Sequence, residues 1–384
     1  MKAESEILEV KSFFDGKKLH DKGPYTILVS NGRYHSILKG TADENFLNLM
    51  DAFRHGKVVR KLGNFIMPSM VESHCHIFLD GDELDAQKRS AYLKSPREKL
   101  VETAWRNIEK YRAKGIRTIR DAGDIHGINN GLRDILKNSD MTVISAGRGI
   151  RKKKRYGSFM AHEVEDSCDI RDAIKKIAET ADTVKIILTG IIDFENGTVK
   201  DPFQFDADEM RLIVEISHSL GLKTFVHCSG KDGLRIAVES GVDSIEHGFF
   251  MSEDILEQMA LKKIAWSPTF IPVHFQYAFP EYCGWNPATV DKLNAILENH
   301  SIHLCKAHKM GISILAGSDG GSYGVKHGEG LFEELALMRK AGLPHDAVLN
   351  AATLAPREHF GLASNAISIG NKADYICLEK FPLA

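Results

Sequence analysis

The stretch VESHCHIF (71–78) places two histidines, His74 and His76, two positions apart at the end of an apolar run. Side chains at this spacing point to one face of a β-strand, so both imidazoles project together and Cys75 faces away. Two imidazoles on one face form a common pair of metal ligands. The pair alone is a weak signal, because it also occurs on ordinary surfaces and in cores. The surrounding chain decides between these interpretations.

From residue 64 onward, short apolar strands alternate with amphipathic helices, and VESHCHIF closes the first of these strands. Predicted strands lie at 64–74, 116–123, 142–149, 184–190, 223–229, 244–249, 264–270 and 313–320. Eight strands, each followed by a helix, indicate a closed (β/α)₈ barrel. A doubly wound open sheet is the alternative, but the chain has no GxGxxG after its first strand.

The two ends of the chain have a different pattern of apolar residues and predicted strands. Residues 6–60 contain short apolar or alternating runs broken by turn signals, which is typical of strands joined by tight turns. The tail, ISIGNKADYICLEK (367–380), predicts two more short strands. We expect these late strands to pair with the N-terminal ones.

Composition narrows the classes of function. The 384 residues carry a formal net charge of −2, which disfavours nucleic acid or an anionic membrane surface as a partner. The first residues lack the apolar region of a secretory signal, and no apolar run is long enough to span a bilayer. The six cysteines are scattered without a CxxC pair, which indicates free thiols in a reducing compartment. We therefore expect a cytoplasmic protein with a small-molecule substrate; homo-oligomerisation stays open.

Titratable residues recur at the ends of the predicted strands. His227 falls in strand five, His247 in strand six, and Asp319 at the end of strand eight. Lys185 lies inside strand four, where a buried amine is costly unless it is paired or chemically altered. Each position alone fits a core polar group with satisfied hydrogen bonds. Together, at the end of a barrel where active sites form, they indicate a catalytic site.

This set of positions resembles the amidohydrolase superfamily, with its HxH, Lys, His, His and Asp on strands one, four, five, six and eight. The local sequences also resemble those of this superfamily. The imidazolonepropionase-like and prolidase-like members are the most similar in local sequence. The matching segments are MPSMVESHCH (67–76), GIRTIRDAG (115–123), GVDSIEHG (241–248), GSDGG (317–321) and IGNKADYICL (369–378). The resemblance implies a TIM barrel over residues 63–362 and a small β-sandwich formed from both termini, 1–62 plus 363–384.

The resemblance also implies six ligands for two divalent metal ions: His74, His76, Lys185, His227, His247 and Asp319. The histidines of strand one and Asp319 would hold the more buried ion, and those of strands five and six the other. Lys185 would bridge the two as a carboxylated lysine. Members without the bridge use one metal, so an unmodified Lys185 stays open. Zinc is the expected ion, although this donor set also suits manganese, iron or cobalt.

The implied reaction is hydrolysis of an amide bond in a dipeptide, an N-acyl compound or a cyclic amide. Two metals would generate a bridging hydroxide, and Asp319 would act as general base and then general acid. Lactone or phosphotriester hydrolysis at the same site is an alternative. A mononuclear deaminase is another, but HCSGKDG (227–233) lacks the glutamate such enzymes place after the strand-five histidine. A catalytically inactive assembly scaffold would have lost ligands that this chain retains.

Substrate contacts are less clearly marked. Tyr156 and His162, in the basic run RKKKRYGSFMAHE (151–163) after strand three, are candidates, as is His327 after strand eight. A solvated basic loop is the alternative for the run. Dipeptidase-like relatives are expected to have HAY at strand five, with the tyrosine on a substrate carboxylate. This chain has His-Cys-Ser (227–229), which puts a dipeptide ending in proline in doubt.

Histidines on the predicted helix after strand seven form a second group: His300, His303 and His308. Their helix lies outside the barrel in the predicted architecture. We expect all three on the protein surface, without a role in the site.

Overall fold

The structure is a computed structural model that describes residues 4–46, 48–49, 57–200, 203–379 and 381–382. The chain forms two compact units, Met1–Val71 with Pro344–Ala384 and Glu72–Leu343. The first unit thus includes the segments 63–71 and 344–362, which the sequence analysis assigns to the barrel. The predicted division at 62/63 and 362/363 stays a prediction.

The described residues contain strands and helices in the following order. The strands are β1 (Glu4–Phe14), β2 (Leu19–His20), β3 (Tyr25–Ser30), β4 (Arg33–Lys39), β5 (Lys57–Pro68), β6 (Met70–Cys75), β7 (Ile116–Asp121), β8 (Thr142–Ser145), β9 (Gly149–Lys152), β10 (Ala161–Val164), β11 (Thr183–Ile187), β12 (Ile192–Asp193), β13 (Thr198–Val199), β14 (Lys223–Cys228), β15 (Ser244–His247), β16 (Ala265–Ser267) and β17 (Tyr375–Leu378). The helices are α1 (Ala86–Tyr92), α2 (Arg97–Ala113), α3 (Ile128–Leu136), α4 (Ser167–Ala178), α5 (Ala207–Ser219), α6 (Lys231–Ser240), α7 (Glu253–Lys262), α8 (Ile271–Ala278), α9 (Pro280–Cys283), α10 (Pro287–Lys309), α11 (Glu329–Lys340), α12 (His345–Ala351) and α13 (Leu354–His359). None of the helices described is long and apolar enough to cross a membrane.

The terminal unit is built around one sheet with the strand order β17-β5-β1-β3-β4, and β2 pairs with β1. Strand β17 runs antiparallel to β5, with Tyr375 opposite Pro68, so the predicted pairing of the tail with the N-terminal strands is confirmed. Alternate residues of β1 and β3, such as Leu8, Val10 and Ile27, are buried in one cluster. This period of two is the pattern of a sheet that packs one face on a core.

Parallel strands form the second unit in the orders β6-β7-β8 and β10-β9-β11-β14-β15-β16. Segments β8 and β9 are successive parts of the third barrel strand. The two sheets are joined where the Asp182 N–H donates to the Ser145 carbonyl at 2.8 Å. The predicted strands therefore follow one another around the sheet in sequence order.

The eighth barrel strand is irregular, but its hydrogen bonds close the barrel. Trp266 of β16 accepts from Leu315 and donates to Ser313, both at 2.9 Å. On the other side, the Ser73 N–H donates to the Ala316 carbonyl at 2.9 Å. These bonds connect strand seven to strand eight and strand eight to strand one. The predicted (β/α)₈ barrel is confirmed.

Helix α8, which follows barrel strand seven, begins at a buried carboxylate. Glu334 of α11 accepts the N–H groups of Phe270 and Ile271 at 3.0 and 3.2 Å, and it has no exposed surface. The first N–H groups of a helix have no partner within the helix, so a carboxylate there also stabilises the positive end of the helix dipole. Glu334 thereby fixes where α8 starts.

We expect Glu334→Ala to lower the free energy of unfolding by about 2–4 kcal/mol, because two buried donors lose their acceptor and a cavity remains. Urea denaturation measures this change. Glu333→Ala, on the exposed side of the same helix, is the control, with an expected change within about 0.5 kcal/mol. Equal effects of the two substitutions would contradict the capping role of Glu334.

Candidate metal centre

The six predicted ligands lie together at the C-terminal end of the barrel strands. Strand β6 supplies His74, and His76 follows directly after it; the other positions lie in or just after β11, β14, β15 and strand eight. Among the described residues, the group able to hold a metal ion is His74, His76 and Asp319, whose ligand atoms lie within 4.8 Å of one another. All three side chains are buried.

Short distances join this group to the histidines of strands five and six. The Asp319 Oδ1 atom lies 3.6 Å from His74 Nε2 and 3.5 Å from His76 Nε2. The His247 ring centroid lies 5.1 Å from that of His74 and 4.5 Å from that of His227. Four imidazoles and one carboxylate therefore surround one small volume.

Three buried polar atoms in this volume have no hydrogen-bond partner in the part of the chain that the structure describes: His74 Nε2, Asp319 Oδ1 and Lys185 Nζ. Buried polar atoms without a partner are rare in folded proteins, and each requires an explanation. Imidazole nitrogen and carboxylate oxygen are the donor types that divalent ions such as zinc prefer. The residues present therefore fit a metal ion, which would complete the coordination of these atoms.

Lys185 is 1% exposed, and its Nζ lies 4.8 Å from the centre of the Phe225 ring. Burial lowers the pKa of this amine to about 8. An amine with a lowered pKa is more often deprotonated and thus more nucleophilic.

The four histidines are held in the neutral form that ligates metals. Burial lowers the pKa of each, to about 3 for His76 and His227 and well below the usual range for His74 and His247. The nearby Lys185 charge lowers each pKa further. Burial has the opposite effect on Asp319 and raises its pKa to about 7.

Glu246, which the sequence analysis missed, fixes the orientation of His74. The His74 Nδ1 atom lies 2.6 Å from Glu246 Oε2, while Arg120 Nη2 and Ser244 Oγ donate to Oε1 at 2.7 and 2.8 Å. Glu246 holds the proton on Nδ1 and leaves Nε2 free for a metal. A carboxylate behind a ligating histidine raises the basicity of the ligand and orients its ring.

We expect Glu246→Gln to weaken metal binding by about 10- to 100-fold, because a neutral amide orients His74 less firmly than a carboxylate does. Competition with a chelating dye measures the affinity. Glu257→Gln on the exposed face of α7 serves as the control and should leave the affinity unchanged. An unchanged affinity in folded Glu246→Gln would remove Glu246 from the metal centre.

Glu72, also missed, ties strand one to strand eight. Its carboxylate accepts the N–H of His74 at 3.1 Å and the N–H and hydroxyl of Ser318 at 2.8 and 2.6 Å. Because Ser318 precedes Asp319, this carboxylate sets the spacing between ligands on two strands. The only signal in the sequence is its position two residues before His74, on the same strand face.

Three non-glycine residues at the site adopt left-handed backbone conformations: His247, Thr269 and Asp319, with φ of 67°, 46° and 58°. Such residues cost about 1–3 kcal/mol each and cluster at functional sites. At each of these turns the side chain leaves the direction that the regular alternation of a β-strand would give it. The Thr269 hydroxyl then lies 2.7 Å from His247 Nδ1, and Ser322 donates to Asp319 Oδ2 at 2.7 Å.

The three predicted substrate contacts lie in different environments. The Tyr156 ring lies 5.4 Å from the His227 ring and lines the cavity above the centre. His162, in β10, is partly buried and does not line this cavity. His327 is buried, with Nδ1 2.9 Å from the Tyr111 hydroxyl and Nε2 2.9 Å from the Leu79 carbonyl. Its hydrogen bonds favour a structural role, and contact with substrate stays a prediction.

The prediction that His300 lies on the surface is wrong. This side chain is 1% exposed and stacks on Phe249 with ring centroids 4.0 Å apart. Its Nε2 lies 2.9 Å from the Pro268 carbonyl, so the polar edge of the ring is satisfied inside the protein. His308 is exposed as expected, and His303 is partly exposed.

A cavity of about 270 Å³ opens above the metal centre. His227, His247 and Asp319 form its polar floor, and the segment after β11 and helix α8 contribute to its wall. A mostly apolar cleft with a few convergent polar groups is the usual form of a small-molecule site.

Comparison with known proteins identifies the class. The sequence pattern of the Amidohydrolase family matches residues 65–383. The chain therefore belongs to the amidohydrolase family and is an enzyme, a hydrolase. The predicted family resemblance and enzyme class are confirmed. Members of this family generally use metal ions, which agrees with the donor atoms found here.

The individual relatives that match this chain have low sequence identity to it. An uncharacterised protein of Mycobacterium tuberculosis is 24% identical over 324 residues, covering 83% of this chain and 80% of the relative. The ochratoxinase of Aspergillus niger is 26% identical over 218 residues, covering 56% of this chain and 44% of the relative. Neither sequence match identifies a substrate for this chain.

Solved structures share the fold over nearly the whole chain. The A. niger ochratoxinase structure superposes with a TM-score of 0.79 at 19% identity, covering 100% of this chain and 91% of that chain. A Xaa-Pro dipeptidase structure with methionine in its active site gives a TM-score of 0.78 at 21% identity, covering 99% and 95%. At these identities the similarity establishes the fold alone.

Proposed function

We propose that the protein is a metal-dependent hydrolase that cleaves an amide bond of a small molecule at a binuclear centre. The observation that carries this proposal is a group of buried donor atoms that have no hydrogen-bond partner among the described residues: His74 Nε2, Asp319 Oδ1 and Lys185 Nζ. Asp319 also lines the cavity together with His227 and His247, so a substrate would approach from that side.

His74, His76 and Asp319 would hold the deeper ion, since their donor atoms already lie within 4.8 Å of one another. His227 and His247 would hold the second ion, because their rings are adjacent and line the cavity. We propose zinc, which imidazole and carboxylate ligands bind well.

Lys185 would join the two ion positions as a carbamate. Its deprotonated Nζ forms an N–C bond with carbon dioxide and releases one proton, which gives an anionic carboxylate on the lysine. That group could ligate cations, whereas an ammonium group could not. The buried position without a hydrogen-bond partner supports this modification.

When bound, two divalent ions lower the pKa of a water molecule toward neutrality and polarise the carbonyl of a substrate. Asp319 would move the proton. Ser322 holds its Oδ2, which leaves Oδ1 directed at the histidines of strand one. Asp319 would take a proton from the attacking water and deliver it to the leaving nitrogen as the C–N bond breaks.

Tyr156 would contact the substrate beside the reacting carbonyl. Within the described part of the chain its hydroxyl has no hydrogen-bond partner, and its ring lies 5.4 Å from that of His227. A phenol in this place can donate a hydrogen bond to a carbonyl oxygen that gains negative charge.

A panel of substrates tests the proposal. The protein is stripped with a chelator, reloaded with zinc, and assayed against anilides, N-acyl amino acids and cyclic amides, with lactones and phosphotriesters as comparators. The proposal predicts hydrolysis of at least one amide class that disappears on chelation and returns with zinc. Hydrolysis of lactones or phosphotriesters alone, or amide hydrolysis that persists in the stripped protein, would contradict it.

A further inference from the structure

The charge of the cavity above the candidate metal centre bears on the substrate. Of the described residues that line it, none is lysine or arginine. Its titratable groups are His227, His247, Asp319 and two tyrosines, and the first three belong to the centre itself. A second, negatively charged group of a substrate would therefore meet no lysine or arginine in the described lining.

The wall of the cavity away from the candidate metal centre is apolar, and packing against neighbouring aromatic rings holds it in place. Its apolar residues are Ile191, Ile192, Phe194, Phe249, Pro272 and Val273. Phe194, from the β12–β13 hairpin, packs edge-on against Trp285 with ring centroids 6.0 Å apart. Phe249 is backed by the stacked ring of His300. The hairpin and α8 thus present a preformed apolar surface.

Most polar groups in the wall are already engaged within the protein. The Tyr323 hydroxyl contacts the carbonyls of Leu84 and Tyr282 at 2.9 and 3.1 Å. The Gln276 Oε1 atom accepts from Trp285 Nε1 at 3.0 Å. Besides the metal centre, the described lining leaves two hydroxyls that can meet a polar group of the substrate: Tyr156, and Ser229, which accepts the Phe249 N–H at 3.3 Å. The lining therefore matches one polar group, the amide, on an otherwise apolar molecule.

The size of the cavity is consistent with an aromatic substituent. Apolar cavities of about 150 Å³ in other proteins bind benzene. The volume of about 270 Å³ found here thus leaves room for one ring together with the amide.

We infer that the site selects uncharged amides with an aryl-sized apolar substituent and rejects amides that carry a free carboxylate, dipeptides included. The absence of a cation in the described lining and the apolar wall carry this inference. It rests on the proposed amide hydrolysis for the reaction and adds the substrate class. Burying a carboxylate against the wall would leave it without a hydrogen-bonding partner or counter-charge.

Matched substrates provide the test. The acetanilide with a para-methyl group and the one with a para-carboxylate differ in charge at the end away from the amide. We expect kcat/KM of the zinc-loaded enzyme to be at least about 100-fold higher for the methyl compound. Equal or higher kcat/KM for the carboxylate, or for an unprotected dipeptide, would overturn the inference.

A binding measurement separates this inference from the proposed reaction. Ketomethylene isosteres of the two anilides cannot be hydrolysed, and calorimetry gives their affinities for the zinc-loaded protein. Selective binding of the uncharged isostere without turnover of any amide would support the inference and contradict the proposed reaction. Amide turnover with equal binding of both isosteres would support the reaction and overturn the inference.

A charge placed on the wall should change the selectivity. Ile191 lines the cavity and is 46% exposed, so a longer polar side chain is tolerated there. We expect Ile191→Arg to narrow the methyl-to-carboxylate ratio of kcat/KM by about tenfold through a new ion pair. Ile191→Gln, which is polar but uncharged, is the matched control and should leave the ratio within about threefold of the wild-type value. Equal ratios in both variants would overturn the inference.

Discussion

Lys185→Ala should reduce the metal content of the protein from two ions per chain to one or fewer and lower amide hydrolysis by about 10³-fold or more. A factor of this size is about 4 kcal/mol of transition-state stabilisation, within the range that a metal ion supplies. The reason is the loss of the one proposed ligand that bridges both ion positions. Elemental analysis after purification without added metal measures the content, and the rate is measured on the best amide of the panel.

Two checks make the Lys185→Ala result specific. Lys176→Ala, on the exposed face of α4, should keep wild-type metal content and rate. Circular dichroism and urea denaturation should show that Lys185→Ala still folds, since alanine removes an unpartnered amine from the interior. Wild-type metal content in the folded variant would make Lys185 a structural residue and favour a single-metal site.

The second large effect is expected at Asp319. We predict that Asp319→Asn lowers kcat by about 10²- to 10⁴-fold, because an amide can neither accept the proton of the water nor return it to the leaving nitrogen. The side chain remains similar in shape, and Ser322 can still contact it. Steady-state kinetics at saturating zinc separates the loss of proton transfer from weaker metal binding. Asp134→Asn, an exposed position on α3, is the control.

A kcat within about threefold of wild type in zinc-saturated Asp319→Asn would contradict the role of Asp319 as the proton carrier. Loss of activity that excess zinc restores would instead limit Asp319 to metal binding. The same samples report metal content, so the two roles are read from one set of measurements.

Much of the fold could be predicted because the sequence pattern is local. The predicted strand at 64–74 is divided in the structure between the end of β5 and β6, while the alternation of apolar strands with amphipathic helices gives the barrel order. The eighth strand was predicted as a regular element, yet it closes the barrel through a few hydrogen bonds around Ser313, Leu315 and Ala316. Whether a strand is regular depends on its hydrogen bonds to the neighbouring strands, and the sequence alone does not give these bonds.

The candidate ligands could be singled out from the sequence because each has an unusual residue type in or just after a predicted barrel strand. The groups that support them could not. Glu246 and Arg120 interact across 126 positions of sequence, and Glu72 reaches Ser318 across 246. The left-handed turns at His247 and Asp319 also depend on tertiary packing. His300 was misassigned because a polar residue on a helix is most often exposed, whereas this ring stacks on Phe249.

The most direct test of the binuclear amide hydrolase is a titration of metal-stripped protein with zinc while hydrolysis of the best amide is followed. Our account predicts that the rate rises until two equivalents per chain have been added and then stays constant, with carbon dioxide present throughout. A rate that reaches its maximum at one equivalent, or that does not depend on zinc, would contradict the account.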